Sequence, residues 1–238
     1  YSFIIKLLHT LFMSSADSII VTSNAMKHDF IKRKIQKSKI SLVHNPVDII
    51  KIRNVISLKR FKGKGLRFVT VGRLVFQKGI DRIIPIIKNI ENCHLTIIGE
   101  GSEKNHLEKL IANNNIKNKI QFTGFINYYN SYVAAADYFL LPSRWEGLPN
   151  SALESLILGT PVLSFKEIVG LNDFISMVPK DKIILFKDEI EMQKYLIDSM
   201  PRSDWKQPII REPLLKSFND PTNYAKKIEN IIKGIVDG

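Results

Sequence analysis

A glycine and two cationic residues follow one predicted strand closely. The run Leu66–Val71 is apolar and β-rich, and it leads into Gly72-Arg73 and then Lys78-Gly79, in the sequence VGRLVFQKGIDRII. A glycine at the carboxyl end of a strand lets a ligand approach the backbone, and open α/β sheets bind ligands at that edge. Two positive charges there could hold a diphosphate. A solvated Gly-Arg turn with a nearby lysine is the alternative interpretation of this segment alone.

Two carboxylates stand eight positions apart in a second segment, LLPSRWEGLPNSALESLILGTPVL, over residues 140–163. Glu146 follows a predicted strand, and Glu154 lies in the first turn of a helix predicted to begin near Asn150 or Ser151. They could accept hydrogen bonds from two sets of hydroxyls, such as a sugar and a ribose on either side of a diphosphate. The helix start offers unpaired N–H groups and the positive end of the helix dipole, both suited to a phosphate.

Each of these residues also has an ordinary structural interpretation. Ser151 and Glu154 form the S-x-x-E pattern of a capping box, in which the glutamate only satisfies a backbone N–H. Glu146 could be a solvated loop carboxylate, and Trp145 could be a packing residue. Taken one at a time, the residues favour these structural interpretations.

The elements that must position these residues alternate between strand and helix patterns, which is typical of a parallel sheet covered by helices. Strands are predicted over 18–21, 40–43, 66–71, 94–98, 120–123, 138–141, 161–164 and 182–185. Apolar residues at helical spacing predict helices over 80–87, 107–111, 128–135, 152–157, 190–197 and 224–235. The predicted fold class is therefore α/β, with a doubly wound, Rossmann-like parallel sheet.

A basic stretch containing glycine separates two parts of the chain. We interpret residues 48–65 as an interdomain linker, so that 1–47 end one domain and 66–216 form a second. Residues 217–238 are predicted to form a C-terminal helix that packs back toward the first domain. The chain begins at Tyr1, without methionine and inside an apolar helical pattern, so we expect that the start of the first domain is missing.

Composition narrows the class of protein. With 238 residues, 45% of them hydrophobic and 24% charged, the chain has the profile of a soluble globular protein. Its one cysteine, Cys93, excludes an intrachain disulfide and fits a reducing cytosol. No apolar run approaches the roughly 20 residues of a membrane span. The formal charge of +12 favours anionic partners, although a solvated basic surface explains it equally well.

The ordered set of motifs resembles glycosyltransferase family 4 of the two-domain GT-B superfamily. The matching segments keep the family's order and approximate spacing across most of residues 16–165. They are ADSIIVTSNAMKHDFIKR (16–33), ISLVHNPVD (40–48), VGRLVFQKG (71–79), LTIIGEGSEKNHLEKLI (95–111), IQFTGF (120–125) and AADYFLLPSRWEGLPNSALESLILGTPVL (135–163). The resemblance implies the C-terminal, donor-binding half of a GT-B fold, preceded by the tail of the N-terminal acceptor domain.

The resemblance also implies a role for each matched residue. Arg73 and Lys78 correspond to the pair that binds the donor diphosphate and stabilises it as the leaving group. Glu146 and Glu154 correspond to the E-x7-E glutamates, of which the first contacts the transferred sugar and the second the ribose. The implied catalytic set is Arg73, Lys78 and Glu146. The other implied donor-binding residues lie beside the phosphates, at the helix start and in the nucleobase loop: Gly72, Gly147, Leu148, Asn150, Phe125 and Ile126.

The implied activity is retaining transfer of a hexosyl or N-acetylhexosaminyl group from a nucleotide-diphosphate sugar. UDP is favoured over GDP, and the implied acceptor is a glycan or lipid-linked molecule of bacterial surface polysaccharide or lipopolysaccharide synthesis. No metal or other cofactor is expected, since the five histidines are scattered and departure of the diphosphate can be stabilised by fixed cations. We expect a cytoplasmic protein that associates with the inner, anionic face of the membrane, and a chain that turns over poorly without its acceptor domain.

Two departures from the family pattern and two alternatives stay open. After Leu163 many members carry Gly-Gly and then a glutamate, whereas this chain reads SFKEIVGLNDFI with Gly170 alone, and Pro149 has no N–H to donate. One alternative is a noncatalytic nucleotide-sugar-binding module or partner subunit. The other, a nucleic-acid-binding protein, has only charge in its favour, because no basic stripe is interleaved with aromatic residues, and we expect no nucleic-acid partner.

Overall fold

The N-terminal part of the chain forms a short two-stranded sheet flanked by helices. The computed structural model describes residues 3–48, 52, 65–199, 218 and 221–236. The first range contains α1 (Phe3–Ser15), β1 (Ile19–Val21), α2 (Asn24–Lys32) and β2 (Ile40–Leu42). β1 and β2 pair in parallel. Ser23 caps the start of α2, because its hydroxyl accepts a hydrogen bond from the Met26 N–H at 3.2 Å.

A six-stranded sheet carries the rest of the described fold. Its strands are β3 (Leu66–Val71), β4 (Cys93–Ile98), β5 (Ile120–Gly124), β6 (Tyr138–Leu141), β7 (Val162–Phe165) and β8 (Ile183–Phe186). The helices that accompany them are α3 (Ile80–Lys88), α4 (Lys104–Asn113), α5 (Asn130–Ala135), α6 (Asn150–Ile157), α7 (Asn172–Ile175), α8 (Glu189–Ile197) and α9 (Pro221–Val236). The strands lie in the order β5-β4-β3-β6-β7-β8, and every neighbouring pair is parallel. The predicted doubly wound parallel sheet is confirmed.

Helices cover both faces of this sheet, and each face has its own apolar core. Phe68 and Val69 are adjacent in β3 and fully buried, yet they belong to different cores, because successive strand residues point to opposite faces. On the Phe68 side, α3 and α4 contribute residues such as Ile83 and Leu107. On the Val69 side, α6 contributes Leu153. Burial on both faces explains why these strands are continuous apolar runs.

The order of the strands reverses between β3 and β6. The chain runs outward from β3 through β4 to β5 and then returns to place β6 against the other side of β3. At such a switch point the loops that leave the two central strands diverge to opposite faces and open a crevice at the carboxyl edge of the sheet. The loops 72–79 and 142–149 are those two loops, so the topology itself brings the two predicted site segments together.

The N-terminal part contacts the larger sheet near α7 and Phe218. The Asp173 carboxylate accepts a hydrogen bond from the Asn24 N–H at 2.9 Å and lies 3.2 Å from Nε2 of His44. The Val47 N–H donates to the Phe218 carbonyl at 2.8 Å. α9 starts at Pro221, three residues before the predicted start, with the proline at its first position. Its packing toward the first domain stays a prediction, and most of the predicted linker 48–65 lies outside the described residues.

The predicted strands all occur, with boundaries that agree or differ by one residue. The helix predicted over 107–111 is longer and begins at Lys104, and the one predicted from 128 begins at Asn130. α2 and α7 were not predicted, because neither has a long apolar period of its own. None of the helices in the described ranges is both long and apolar enough to cross a membrane.

Candidate functional site

Hydrogen bonds in both directions join the loop 142–149 to the loop 72–79. The Arg144 N–H donates to the Gln77 carbonyl at 2.8 Å, and the Gln77 side chain donates to the Trp145 carbonyl at 2.9 Å. The Arg144 guanidinium contacts both carboxylate oxygens of Asp81, at 2.9 and 2.6 Å, and the Phe76 carbonyl at 2.7 Å. A bidentate arginine–carboxylate pair fixes orientation as well as distance. The two loops therefore form one unit.

Gly79 lies where the loops approach most closely. Its φ of 60° is in the left-handed region, which favours glycine, and a Cβ there would lie 2.2 Å from the Pro142 carbonyl oxygen. A side chain at this position would push the second loop away from the first. The glycine of the Lys78-Gly79 pair is thus explained by packing of the two loops and needs no ligand.

Lys78 and Glu146 form an ion pair inside this unit. Lys78 Nζ lies 2.6 Å from Oε1 of Glu146, and the hydroxyl of the fully buried Ser143 donates to the same oxygen at 2.7 Å. Only 8% of the Glu146 side chain is exposed, so it is not the solvated loop carboxylate of the alternative interpretation. Gly72 provides the room, because a Cβ on it would lie 3.3 Å from Cε of Lys78.

Arg73 differs from Lys78 in its surroundings. It is exposed at the wall of the crevice, and among the described residues no carboxylate pairs with it. One cation of the site is therefore already held by a carboxylate, while the other is available to an anionic ligand.

Glu154 has a partner that the sequence patterns did not suggest. The Tyr129 phenol donates a hydrogen bond to Oε2 of Glu154. Burial raises the pKa of Tyr129 well above its ordinary value, and the negative charge of Glu154 and the hydrogen bond to it raise it further, so the phenol keeps its proton. The capping-box interpretation is wrong: α6 begins at Asn150 with Pro149 at the N-cap, and no side chain caps it. Ser151 lies two residues after the N-cap, so the S-x-x-E pattern is out of phase with the helix start.

A cleft of about 550 Å³ opens between the two loops and the start of α6. Its walls combine glycine backbone, charged side chains and an aromatic and aliphatic end. The lining residues are Val71, Gly72, Arg73, Gln77, Lys78, Ile98, Gly99, Glu100, Phe125, Ile126, Tyr129, Glu146, Leu148, Asn150 and Ser151. This volume falls within the usual range of small-molecule sites, roughly 300–1,000 Å³.

Most of the predicted site residues meet in this cleft. Gly72, Arg73, Lys78, Phe125, Ile126, Glu146, Leu148 and Asn150 line it, whereas Gly147 and Glu154 are not among its lining residues. Trp145 is 54% exposed, and its ring lies 6.3 Å from the Phe76 ring, so it packs against the other loop at the surface and not in the core. Tyr129 and Ser143 were missed. No local pattern marks them, since each matters only through a carboxylate from elsewhere in the chain.

The cleft is electrostatically suited to a bound anion. Arg73 and Lys78 line it, and α6 begins at Asn150 with the positive end of its dipole. The two carboxylates of the lining are each paired with a lysine, Glu146 with Lys78 and Glu100 with Lys104. Pro149 contributes no N–H, and the Asn150 side chain accepts a hydrogen bond from Asn45 at 3.2 Å. No group of three or more His, Cys, Asp or Glu side chains that could hold a metal occurs in the part of the chain that the structure describes. The expected independence of metal stays a prediction.

Comparison with known families gives the site a context. The family model described as "Glycosyl transferases group 1" matches residues 53–204, which is more than half of the chain and includes both loops, Tyr129 and Glu154. An uncharacterized glycosyltransferase of Methanocaldococcus jannaschii is 32% identical over 175 residues, an alignment that covers 69% of this chain and 43% of that protein.

Solved structures share the fold. The apo form of the lipopolysaccharide outer core galactosyltransferase WaaB matches with a TM-score of 0.69 at 25% identity, covering 92% of this chain and 62% of that one. Anabaena HepE, solved in complex with UDP, matches with a TM-score of 0.71 at 16% identity, covering 92% of this chain and 64% of that one. This chain therefore spans less than half of the curated relative and less than two thirds of either solved chain. Its Rossmann-like sheet has GT-B glycosyltransferases as structural neighbours.

Proposed function

We propose, from the premise that this chain belongs to the group 1 glycosyl transferases, that it carries the donor site of a retaining enzyme of glycosyltransferase family 4. The observation that carries the proposal is the meeting of Arg73, Lys78 and Glu146 in one cleft at the switch point of the sheet. An exposed cation, a paired cation and a helix start around a crevice fit a diphosphate with a sugar attached.

The diphosphate is the leaving group in this reaction. Its departure develops negative charge, which Arg73, Lys78 and the start of α6 are placed to stabilise without any reorganisation. An ammonium has three donors, so Lys78 can keep its contact with Glu146 while it donates to a phosphate oxygen. Glu146 can accept a hydrogen bond from a sugar hydroxyl while its partner Lys78 donates to the neighbouring phosphate. The ion pair would therefore contact both the sugar and the diphosphate of the donor.

Retention follows if the acceptor attacks from the face that the diphosphate leaves. The bond between the sugar C1 and the phosphate oxygen breaks, the acceptor oxygen bonds to C1 on the same face, and the departing phosphate takes the hydroxyl proton. In this scheme neither Glu146 nor Glu154 is a nucleophile. The anomeric proton coupling in the NMR spectrum of the product, made by the protein that contains this chain and its acceptor domain, tests this: an inverted anomer would contradict it.

The proposed donor is a UDP-sugar, with a GDP-sugar second. Support comes from Anabaena HepE, whose structure contains UDP on a similar fold. The proposed acceptor is a glycan or lipid-linked molecule of bacterial surface polysaccharide or lipopolysaccharide synthesis, in line with the named role of WaaB. We place the acceptor site in the part of the GT-B fold that lies beyond this chain's match, so this chain alone should bind donor and not transfer sugar.

Isothermal titration of the 238-residue chain with UDP, GDP and ADP, each with and without EDTA, tests the donor site. We expect UDP to bind most tightly and EDTA to have no effect. Failure of all three nucleotides to bind would overturn the proposal, and binding that EDTA abolishes would overturn its metal independence. Donor binding without transfer, in a protein that joins this chain to an acceptor domain, would instead identify a noncatalytic nucleotide-sugar-binding module.

Association with an anionic membrane face is a further part of the proposal. The formal charge of +12 supports it, because basic residues near an anionic surface each contribute about 1 kcal/mol of attraction. Co-sedimentation with phosphatidylglycerol vesicles should be strong at low salt and weak at high salt. Absence of the protein from the low-salt pellet would contradict this part alone.

A further inference from the structure

We propose that Asp173 is a positioning residue for the cleft, through which the N-terminal part of the chain, residues 3–48, holds the loop 142–149 and the start of α6 in place. Asp173 is not among the residues that line the cleft. It lies in the segment after Leu163, where the Gly-Gly and glutamate pattern of the family is not kept. The effect of Asp173 on nucleotide affinity rests on the proposed function, whereas its contacts do not.

The Asp173 carboxylate finds its hydrogen-bond donors in the N-terminal part. Its Oδ2 accepts from the Asn24 N–H at 2.9 Å and from the Asn24 side-chain amide at 3.3 Å, and it lies 3.2 Å from Nε2 of His44. Only 3% of the Asp173 side chain is exposed, and a carboxylate so deeply buried is costly without partners. Asn24 is the first residue of α2, where the positive end of the helix dipole favours a negative charge. The charge of Asp173 therefore ties both α2 and His44 to α7.

The turn that precedes Asp173 packs directly against the loop 142–149. A Cβ on Gly170 would lie 2.2 Å from the Gly147 carbonyl oxygen, so only a glycine allows this close approach. Asp173 follows Gly170 by three positions, and Gly147 follows Glu146 directly. A displacement of α7 would therefore be transmitted to the backbone that carries Glu146.

The N-terminal part also contacts the loop and the start of α6 directly. A Cβ on Gly147 would lie 2.8 Å from Sδ of Met26, and the Thr22 hydroxyl donates to that sulfur at 3.4 Å. The Asn45 side-chain amide donates to the side-chain oxygen of Asn150 at 3.2 Å. Asn150 is the first residue of α6 and lines the cleft. Two elements of the N-terminal part thus lie against the wall of the cleft.

Asp173 bonds to a neighbour of each of these two contacts. Asn24 lies two positions before Met26 on α2, and His44 directly precedes Asn45. The contacts of Met26 and Asn45 with the cleft wall are between neutral groups, whereas those of Asp173 involve a charge and are the stronger kind. Without Asp173, we expect α2 and the segment at His44 to loosen, and the cleft wall to loosen with them.

Hydrogen exchange of the chain without nucleotide tests whether Asp173 holds the wall. In Asp173→Ala we expect the amides of residues 144–153 to exchange about 10-fold faster than in wild type, because local opening becomes easier, while the amides of β4 keep their rates. Asp29→Ala is the matched control, since this carboxylate of α2 is 55% exposed and pairs with Arg33 on its own helix. It should change neither region. Unchanged exchange over 144–153, or equal acceleration there and in β4, would overturn the inference.

The affinity of the same variants for UDP tests whether this position matters to the site. We expect Asp173→Ala to weaken UDP about 5- to 10-fold and His44→Phe about 2- to 3-fold. His44→Phe loses the nitrogen that faces Asp173 but keeps a ring beside Phe218, whose centroid lies 4.8 Å from that of His44. In the Asp173→Ala background, His44→Phe should change UDP affinity by less than about 1.5-fold, because its partner is already gone. Fully additive losses would mean that His44 acts on the cleft without Asp173, and would overturn the inference.

Exchange and affinity together separate this inference from the proposed function. If wild type binds no nucleotide, the proposed function falls, and the exchange rates over 144–153 still decide whether Asp173 holds the wall. If wild type binds UDP and both variants bind it equally well, the donor site stands and Asp173 is not a positioning residue for it. Where Asp173→Ala fails to fold, His44→Phe decides: it should accelerate exchange over 144–153 about 2- to 3-fold and leave β4 unchanged, and no acceleration would overturn the inference.

Discussion

Glu146 and Glu154 are the same residue type eight positions apart, but the structure gives them different partners. Glu146 lies in the loop after β6 and shares one oxygen between the Lys78 ammonium and the buried Ser143 hydroxyl. Glu154 lies on α6 and accepts from the neutral Tyr129 phenol. A carboxylate next to a cation keeps that cation in place and partly neutralised, whereas one next to a phenol orients a neutral group. The loop end of the cleft, around Glu146, therefore holds an ion pair, whereas at the helix end, around Tyr129, the carboxylate of Glu154 accepts from a neutral hydroxyl.

The largest difference between the two cations of the cleft should appear when Arg73 is substituted. Unlike Lys78, Arg73 has no carboxylate partner among the described residues. If the proposed function holds, Arg73→Ala should reduce sugar transfer about 100- to 1000-fold in a protein that joins this chain to an acceptor domain, the typical effect of losing one preorganised contact to developing charge. Its thermal unfolding midpoint should not change. Lys88→Ala, at an exposed helix position far along α3, is the control for loss of charge. Full activity of Arg73→Ala would remove Arg73 from the site.

Lys78→Ala should differ from Arg73→Ala by lowering stability as well. It leaves Glu146, only 8% exposed, without its cation, which we expect to cost roughly 1–3 kcal/mol of unfolding free energy. Urea unfolding measures this, and adding Glu146→Gln should recover most of the loss. If Lys78→Ala were as stable as Arg73→Ala, the ion pair would have no structural role.

Arg144→Ala tests whether the joined loops support the charged end of the cleft. It removes the bidentate contact with Asp81 and the contact with the Phe76 carbonyl, and we expect a loss of about 1–2 kcal/mol in unfolding free energy. UDP affinity should fall several-fold although Arg144 is not a lining residue. Arg33→Ala, which breaks only the exposed pair with Asp29, should cost less than about 0.5 kcal/mol and leave affinity unchanged. Equal effects of the two variants would argue against joined loops.

The smallest expected effect is on the acid dependence of stability. Burial alone would raise the pKa of Asp81, but the hydrogen bonds and charge of Arg144 outweigh it and lower that pKa below its ordinary value of 3.8. A lowered pKa in the folded state means that the stabilisation is complete above the unfolded-state pKa and is lost as pH falls through the folded-state pKa. Wild type should thus lose stability more steeply than Asp81→Asn below about pH 4. Parallel pH profiles of the unfolding midpoint would contradict this.

How much the sequence predicts differs between the two ends of the cleft. Strand runs such as Leu66–Val71 are enclosed on both faces and so are recognisable from composition, and the alternation of elements predicts the doubly wound sheet. Adjacency of the loops 72–79 and 142–149 follows from strand order, which only the family resemblance implied. The sequence predicts Arg73, Lys78 and Glu146 as site residues because all three lie within motifs of fixed spacing.

The helix end was less predictable. The contact of Tyr129 with Glu154 joins residues 25 positions apart and depends on how α5 packs on α6. A single helix pattern has no information on such packing. The capping-box interpretation of Glu154 failed because α6 begins at Asn150, one residue before Ser151. The sequence allows Trp145 to be a packing residue, and the structure shows that its packing partner is Phe76 of the other loop, at the surface.

Crystallising this chain with UDP would test the central claim, that the cleft is a nucleotide-sugar donor site, most directly. We predict electron density for the diphosphate between Arg73, Lys78 and the start of α6, with the Lys78–Glu146 contact retained and the uridine directed toward Tyr129 and Phe125. UDP bound outside this cleft, or bound in it with the phosphates at Phe125 and the base at Arg73, would contradict the account.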